Sequence, residues 1–150
     1  VKNSFSHQQT LETRVLDNLS AAVLLFDNEL RLRYINPAGE MLLAVSSRHL
    51  LNQPAADLVS CPGGQIDRDL RSALQSGQPF SEREVVMPRP DGTRITVDCT
   101  ITPLMEPGRL AEVLVELQQE HNSILVVVTH SQSLADAMQQ QKRIEDGQLI

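Results

Sequence analysis

The spacing of apolar residues changes several times along this chain, and each change marks an element. Leu11, Val15, Leu16 and Leu19 recur at helical spacing with Asp17 and Asn18 opposite, which predicts a short amphipathic helix over 10–19. Val23-Leu24-Leu25-Phe26 is a compact apolar run that ends in the turn chemistry of Asp27-Asn28-Glu29. Leu30, Leu32 and Tyr34 then alternate with Arg31 and Arg33, so the two runs read as strands of a hairpin, the second with one wet face. Asn36-Pro37 follows, an N-cap residue with proline at the first helical position, and Ala38, Met41, Leu42 and Val45 share one helical face. Residues 46–64 carry Ser, Pro, Asn and Gly among scattered apolar positions and read as short helical turns and loops. Ile66, Leu70, Ala73 and Leu74 restore the helical period, with Gly77 as its stop.

From Ser81 the period shortens. Glu84-Val85-Val86-Met87 leads into a turn centred on Asp91-Gly92. Ile95, Val97, Cys99 and Ile101 then alternate strictly with Arg94, Thr96, Asp98 and Thr100, the clearest strand in the chain. Pro103 closes it, Glu106-Pro107-Gly108 is a second turn, and Ala111, Val113, Val115 and Leu117 alternate with Glu112 and Glu116 as another strand. Antiparallel hairpins therefore flank a helical middle, an α+β plan. The last segment differs. Ile124 to Val128 is continuously apolar, as in a strand buried on both faces, and a helix is expected from Ser133 to about Lys142.

A chain of 150 residues is the size of one domain and needs neither disulfide nor metal to hold a core. With no Trp, one Tyr and three Phe, that core is aliphatic. The net charge of −6 and the absence of a basic cluster argue against a nucleic-acid or anionic-membrane partner. No apolar stretch approaches the roughly 20 residues of a membrane span, and no signal peptide is recognised, which together predict a cytoplasmic location. Cys61 and Cys99 could form a single disulfide, but two reduced thiols are the favoured reading.

Little in the chain has the layout of an active site. His49 and His121 lack ligand-spaced partners and are read as surface residues, and His7 belongs to the polar N-terminal stretch, so no metal is expected. Cys61, beside Pro62-Gly63-Gly64, is read as a loop cysteine rather than an activated thiol, and Cys99 as a small core residue. The Arg31/Arg33 and Glu82/Glu84 pairs are read as wet strand faces, and no carboxylate pair or nucleophile–base set is placed for catalysis.

Residues 11–118 resemble a PAS domain, and the type found in nitrogen-regulation (NtrB-type) sensor histidine kinases in particular. The matching stretches are residues 16–25 (Leu16 to Leu25), Leu30 to Ala38 with its Asn36-Pro37-Ala38, Glu40 to Ser46, the Asp91-Gly92 hairpin, and Val97 to Pro103. The resemblance implies a five-stranded antiparallel sheet with helices on one side; a polar extension over 1–10 precedes it, and residues 119–150 depart from the family pattern as a strand–helix extension. It implies a sensory module that signals to a kinase core of the same parent protein, and the nitrogen signal in that family commonly arrives through a PII-type regulatory protein. This chain has no phosphorylated-histidine helix and no ATP lid, so it is not read as an enzyme itself. The first helix is short enough to need a surface, either its own sheet or a partner's helix. Physical and familial arguments together favour a parallel homodimer through Leu11, Val15, Leu16 and Leu19.

An alternative role is a small-molecule receptor whose pocket is lined by Leu25, Tyr34, Leu42, Ile66, Leu70, Val97 and Cys99. A packed core without ligand is the favoured reading. No cofactor is expected: the Asn-Cys-Arg-Phe segment of flavin-binding relatives is missing, and the helix over 65–76 offers no axial histidine for haem. Ile124 to His130, Leu134-Ala135 and Asp146-Gly147 resemble the end of an ABC-transporter ATPase of the lipoprotein-releasing type, in which the residue matching His130 senses the γ-phosphate. The chain has neither a phosphate loop nor a Leu-Ser-Gly-Gly signature, so a nucleotide-binding fragment is the least favoured reading.

Overall fold

The computed structural model describes residues 14–58, 65–89, 91–104 and 123–129, together with 132, 134–136, 138 and 139. Helix α1 is described over 14–18. It leads into β1 (Ala22–Phe26) and β2 (Leu32–Ile35), then α2 (Pro37–Leu43), α3 (Ser47–Leu50), α4 (Ala55–Leu58) and α5 (Gln65–Ser76). Strands β3 (Phe80–Pro88), β4 (Arg94–Leu104) and β5 (Ser123–Thr129) follow, and a C-terminal helix, α6, is described at 132, 134–136, 138 and 139.

The strands form one five-stranded sheet in the order β2-β1-β5-β4-β3. The two hairpins, β1–β2 and β3–β4, are antiparallel as the alternation requires. The sheet as a whole is mixed, however, because β5 runs parallel to both β1 and β4. The segment expected to follow the domain as an extension thus supplies its central strand. Its composition explains this: Ile124, Leu125, Val126, Val127 and Val128 are all buried, and only a strand apolar on both sides suits a slot covered on both sides. The strand expected over Ala111 to Leu117 lies outside the described residues.

Helices cover both faces, not one. Leu43, Leu50, Ala55, Ile66, Leu70 and Ala73 from α2–α5 pack on Leu24, Phe26, Val97, Ile101, Ile124, Val126 and Val128. On the other face Leu16 of α1 and Leu134 and Met138 of α6 pack on Val23, Leu25, Tyr34, Leu104, Leu125 and Val127.

Both sheet edges are managed. The outer side of β2 is hydrogen-bonded by the segment before α4: Leu32 N–H donates to Gln53 O at 2.9 Å, Asn52 N–H to Leu32 O at 2.7 Å and Ala55 N–H to Leu30 O at 2.9 Å. The outer side of β3 carries Glu82, Arg83 and Glu84, all exposed, and a break in register between Glu82 and Val85 where Glu84 adopts a left-handed φ of 56°. Charge and a bulge on an edge strand disfavour pairing with another chain.

Candidate functional site

The densest polar feature is buried. Asn36 is fully enclosed at the start of α2. Its Oδ1 accepts from Gly39 N–H at 2.9 Å, the expected N-cap bond, and also from Val23 N–H at 2.9 Å. Its Nδ2 donates to Leu16 O and Ala21 O, both at 2.9 Å. One amide therefore ties together α1, β1 and α2, and it uses the hydrogen-bonding capacity of both its ends. The backbone packs closely around it: a Cβ on Gly39 would stand 2.7 Å from Ile35 Cγ1. The sequence marks Asn36 as a cap, and nothing in its spacing reveals the second and third elements it holds.

Arg33 departs from its reading as a wet-face residue. The register of β1–β2 shifts between Leu25/Tyr34 and Phe26/Leu32, which leaves Arg33 as the extra residue of a bulge. Its Nη1 lies 3.3 Å from the buried Asp27 carboxylate, and its Nη2 is ion-paired with Asp136 of α6. Asp27 in turn accepts from Glu29 N–H at 2.9 Å and Arg31 N–H at 3.1 Å, so the turn that looks like simple turn chemistry is also a counter-ion. Arg31 is exposed and donates to Asn52 O at 2.8 Å.

The same bulge moves one of the expected ligand-lining residues, Tyr34. Strict alternation puts Leu32 and Tyr34 on one face, but the extra residue between them sends Leu32 to the α2–α5 side and Tyr34 to the α1 side. Leu25 pairs with Tyr34 and shares its face. Leu42, Ile66, Leu70, Val97 and Cys99 all belong to the opposite core. The seven residues therefore do not line one pocket. Tyr34 is buried, and its Oη donates to Asp17 of α1 at 2.7 Å.

The residues of the expected dimer stripe have different surroundings. Leu16 is buried against the chain's own sheet, whereas Val15 and Leu19 are half-buried at the edge of that core. Arg14, Val15, Asn18 and Leu19 border a shallow surface groove. Leu11 lies outside the described residues, as do His7, Cys61, His121 and His130. His49 is an exposed residue of α3.

Two carboxyls are perturbed. Asp69 on α5 is pushed above the ordinary aspartate value, first by burial and then by the negative charge of Glu82, with Arg68 opposing. Asp91 in the β3–β4 turn is held below it by the Thr93 hydroxyl, at 2.6 Å, and by Thr93 N–H, at 3.0 Å.

The decisive comparison is with protein families: the PAS fold model matches residues 16–122. The chain belongs to the PAS family. Among curated relatives, the sensory histidine kinase/phosphatase NtrB of Salmonella typhimurium is 39% identical over 74 residues, 49% of this chain and 21% of that protein. The NtrB of Vibrio alginolyticus is 29% identical over 110 residues, 73% of this chain and 31% of that protein. This PAS chain thus spans under a third of the kinases it matches. The crystal structure of the PAS domain of nitrogen regulation protein NR(II) from Vibrio parahaemolyticus superimposes with a TM-score of 0.51 at 28% identity, covering 63% of this chain and 84% of that one. A shorter match, 49% identical over 41 residues, is to the lipoprotein-releasing ATP-binding protein LolD 1 of Rhodopirellula baltica. It covers 27% of this chain and 18% of that protein.

Proposed function

We propose that this PAS domain is the sensory and dimerisation module of a nitrogen-regulation histidine kinase of the two-component type, and that it relays a signal to a kinase core elsewhere in its parent protein. The observation that carries this reading is the agreement of sequence and structure on one type of relative: NtrB proteins among curated chains, and the NR(II) PAS domain among solved ones. Phosphotransfer belongs to that core in this reading, and this chain supplies none of its chemistry. The domain acts in the cytoplasm as a parallel homodimer through α1, with a PII-type protein as a partner of the full kinase. No helix among the described residues is long and apolar enough to cross a membrane, which agrees with this setting.

The test is replacement. The PAS domain of Salmonella NtrB is exchanged for this chain, and kinase and phosphatase activities are measured with and without the nitrogen signal. A chimera that still shifts between the two activities supports the proposal. A chimera locked in one activity, like a control carrying an unrelated dimeric domain, overturns it.

A further inference from the structure

A sheet with helices on both faces keeps those helices apart, so a change on one face reaches the other only where something passes the sheet's end. Leu16 of α1 packs on one face, and Leu43 of α2 packs on the other. The Asn36 side chain stands between them. Through Nδ2 it holds Leu16 O of α1 and Ala21 O before β1, and through Oδ1 it holds Gly39 N–H of α2 and Val23 N–H of β1, each at 2.9 Å. The amide is planar and its four bonds are buried, so it cannot turn to follow one partner without loosening the others. A buried bond left unmade is costly, which makes the four partners move as one set. There is little slack on either side. Pro37 opens α2 and fixes φ there, and a Cβ on Gly39 would meet Ile35 Cγ1 at 2.7 Å and Asn36 Oδ1 at 3.2 Å. On the α1 side the Tyr34 hydroxyl donates at 2.7 Å to Asp17, the neighbour of Leu16.

We propose that Asn36 is a positioning residue that couples the seating of α1 on one face of the sheet to the seating of α2 on the other. When α2 shifts, the amide is drawn along with Gly39 N–H and loosens its hold on Leu16 O. When α1 lifts, the loss of Leu16 O frees the amide that caps α2. Such a coupling is one free energy shared by two sites, so it acts in both directions. Its use rests on the proposed function: there α1 joins two copies, and Asn36 carries a displacement in the α2–α5 layer through to the dimer contact.

The full chain carries its own reporter. Tyr34 is its one tyrosine and it has no tryptophan, so its intrinsic emission comes from Tyr34. A carboxylate that accepts from a tyrosine hydroxyl quenches this emission, so the bond to Asp17 reports a seated α1. Asp17→Ala releases α1 from Tyr34 and gives the unquenched value. Gly39→Ala is expected to raise emission towards that value, although the added methyl sits on α2 and meets Ile35 and Asn36. In the other direction, Asp17→Ala is expected to speed amide exchange at Gly39, followed by NMR, about fivefold or more. Ile66→Val, in α5 of the same layer as α2, controls for general loosening and is expected to change neither readout. The proposal is overturned if folded Gly39→Ala keeps the emission of the unsubstituted protein, or if Asp17→Ala leaves Gly39 exchange unchanged. It is equally overturned if Ile66→Val moves both readouts as far. The two directions decide independently, so the exchange measurement stands even where Gly39→Ala does not fold. Sedimentation equilibrium separates the coupling from the dimer: raised emission in Gly39→Ala with unchanged dimer affinity overturns α1 as the dimer helix and leaves the coupling standing.

Discussion

Asn36 shows how much one side chain can hold. Removing its amide in Asn36→Ala strands Val23 N–H and Gly39 N–H as donors and Ala21 O as an acceptor in a buried place, and leaves Leu16 O with Leu19 N–H at 3.3 Å. Unsatisfied buried groups cost about 1–3 kcal/mol each, so a loss of about 4 kcal/mol is expected in urea melts. Asn36→Asp separates the two ends: it keeps the acceptor for Val23 and Gly39 but turns a carboxylate oxygen on two carbonyls. Its carboxyl would be raised in the folded state, so the variant is expected to recover stability as pH falls and to lose it as pH rises. An Asp variant with a pH-independent deficit would contradict this. The same sign applies to Asp69, whose carboxyl is raised by burial and by Glu82. Its favourable contribution is complete below the unfolded value and is lost as pH rises through the folded one. Asp69→Asn is therefore expected to raise the melting temperature at pH 7, with the gain vanishing in acid. An equal gain at both pH values would refute burial and Glu82 as the cause.

At the scale of elements, α1 is the informative case. Its stripe has two faces of use: Leu16 is committed to the sheet, while Val15 and Leu19 are half-buried and border a groove with Arg14 and Asn18. Val15→Asp with Leu19→Asp is expected to convert a dimer to folded monomer in sedimentation equilibrium, whereas a folded variant that stays dimeric would place the interface elsewhere. Leu16→Asp is expected to unfold the chain instead, because that residue belongs to the core. The elements themselves are legible from period alone: both hairpins, α2 with its Asn-Pro start, α5, and an apolar strand over 124–128 all stand where their spacing puts them, although α2 buries Gly39 and Leu43, leaves Met41 of its expected apolar face exposed and ends before Val45. What spacing does not show is the bulge at Arg33. A single extra residue in β2 moves Tyr34 to the opposite face, and no residue type in Leu32-Arg33-Tyr34 announces it. The bulge parts Tyr34 from Leu70 and Val97, and it hides the Arg33 clamp to Asp27 and Asp136.

For the whole molecule, the family is legible because its marks are local: the hairpin, the Asn-Pro-Ala corner and the Asp-Gly turn. The order of strands is less so, since a sheet's centre is filled by whichever distant segment best satisfies both faces, and alternation ranks segments one face at a time. β5 takes that place with five consecutive buried apolar residues, Ile124 to Val128. Its position has a consequence for synthesis. Among the described strands, the two hairpins β2-β1 and β4-β3 have no pairing with each other, and β5 joins them. A ribosome finishes both hairpins before it delivers their common neighbour. Until that neighbour arrives, the two finished hairpins have no strand to bridge them, and the sheet closes only when β5 is laid between them.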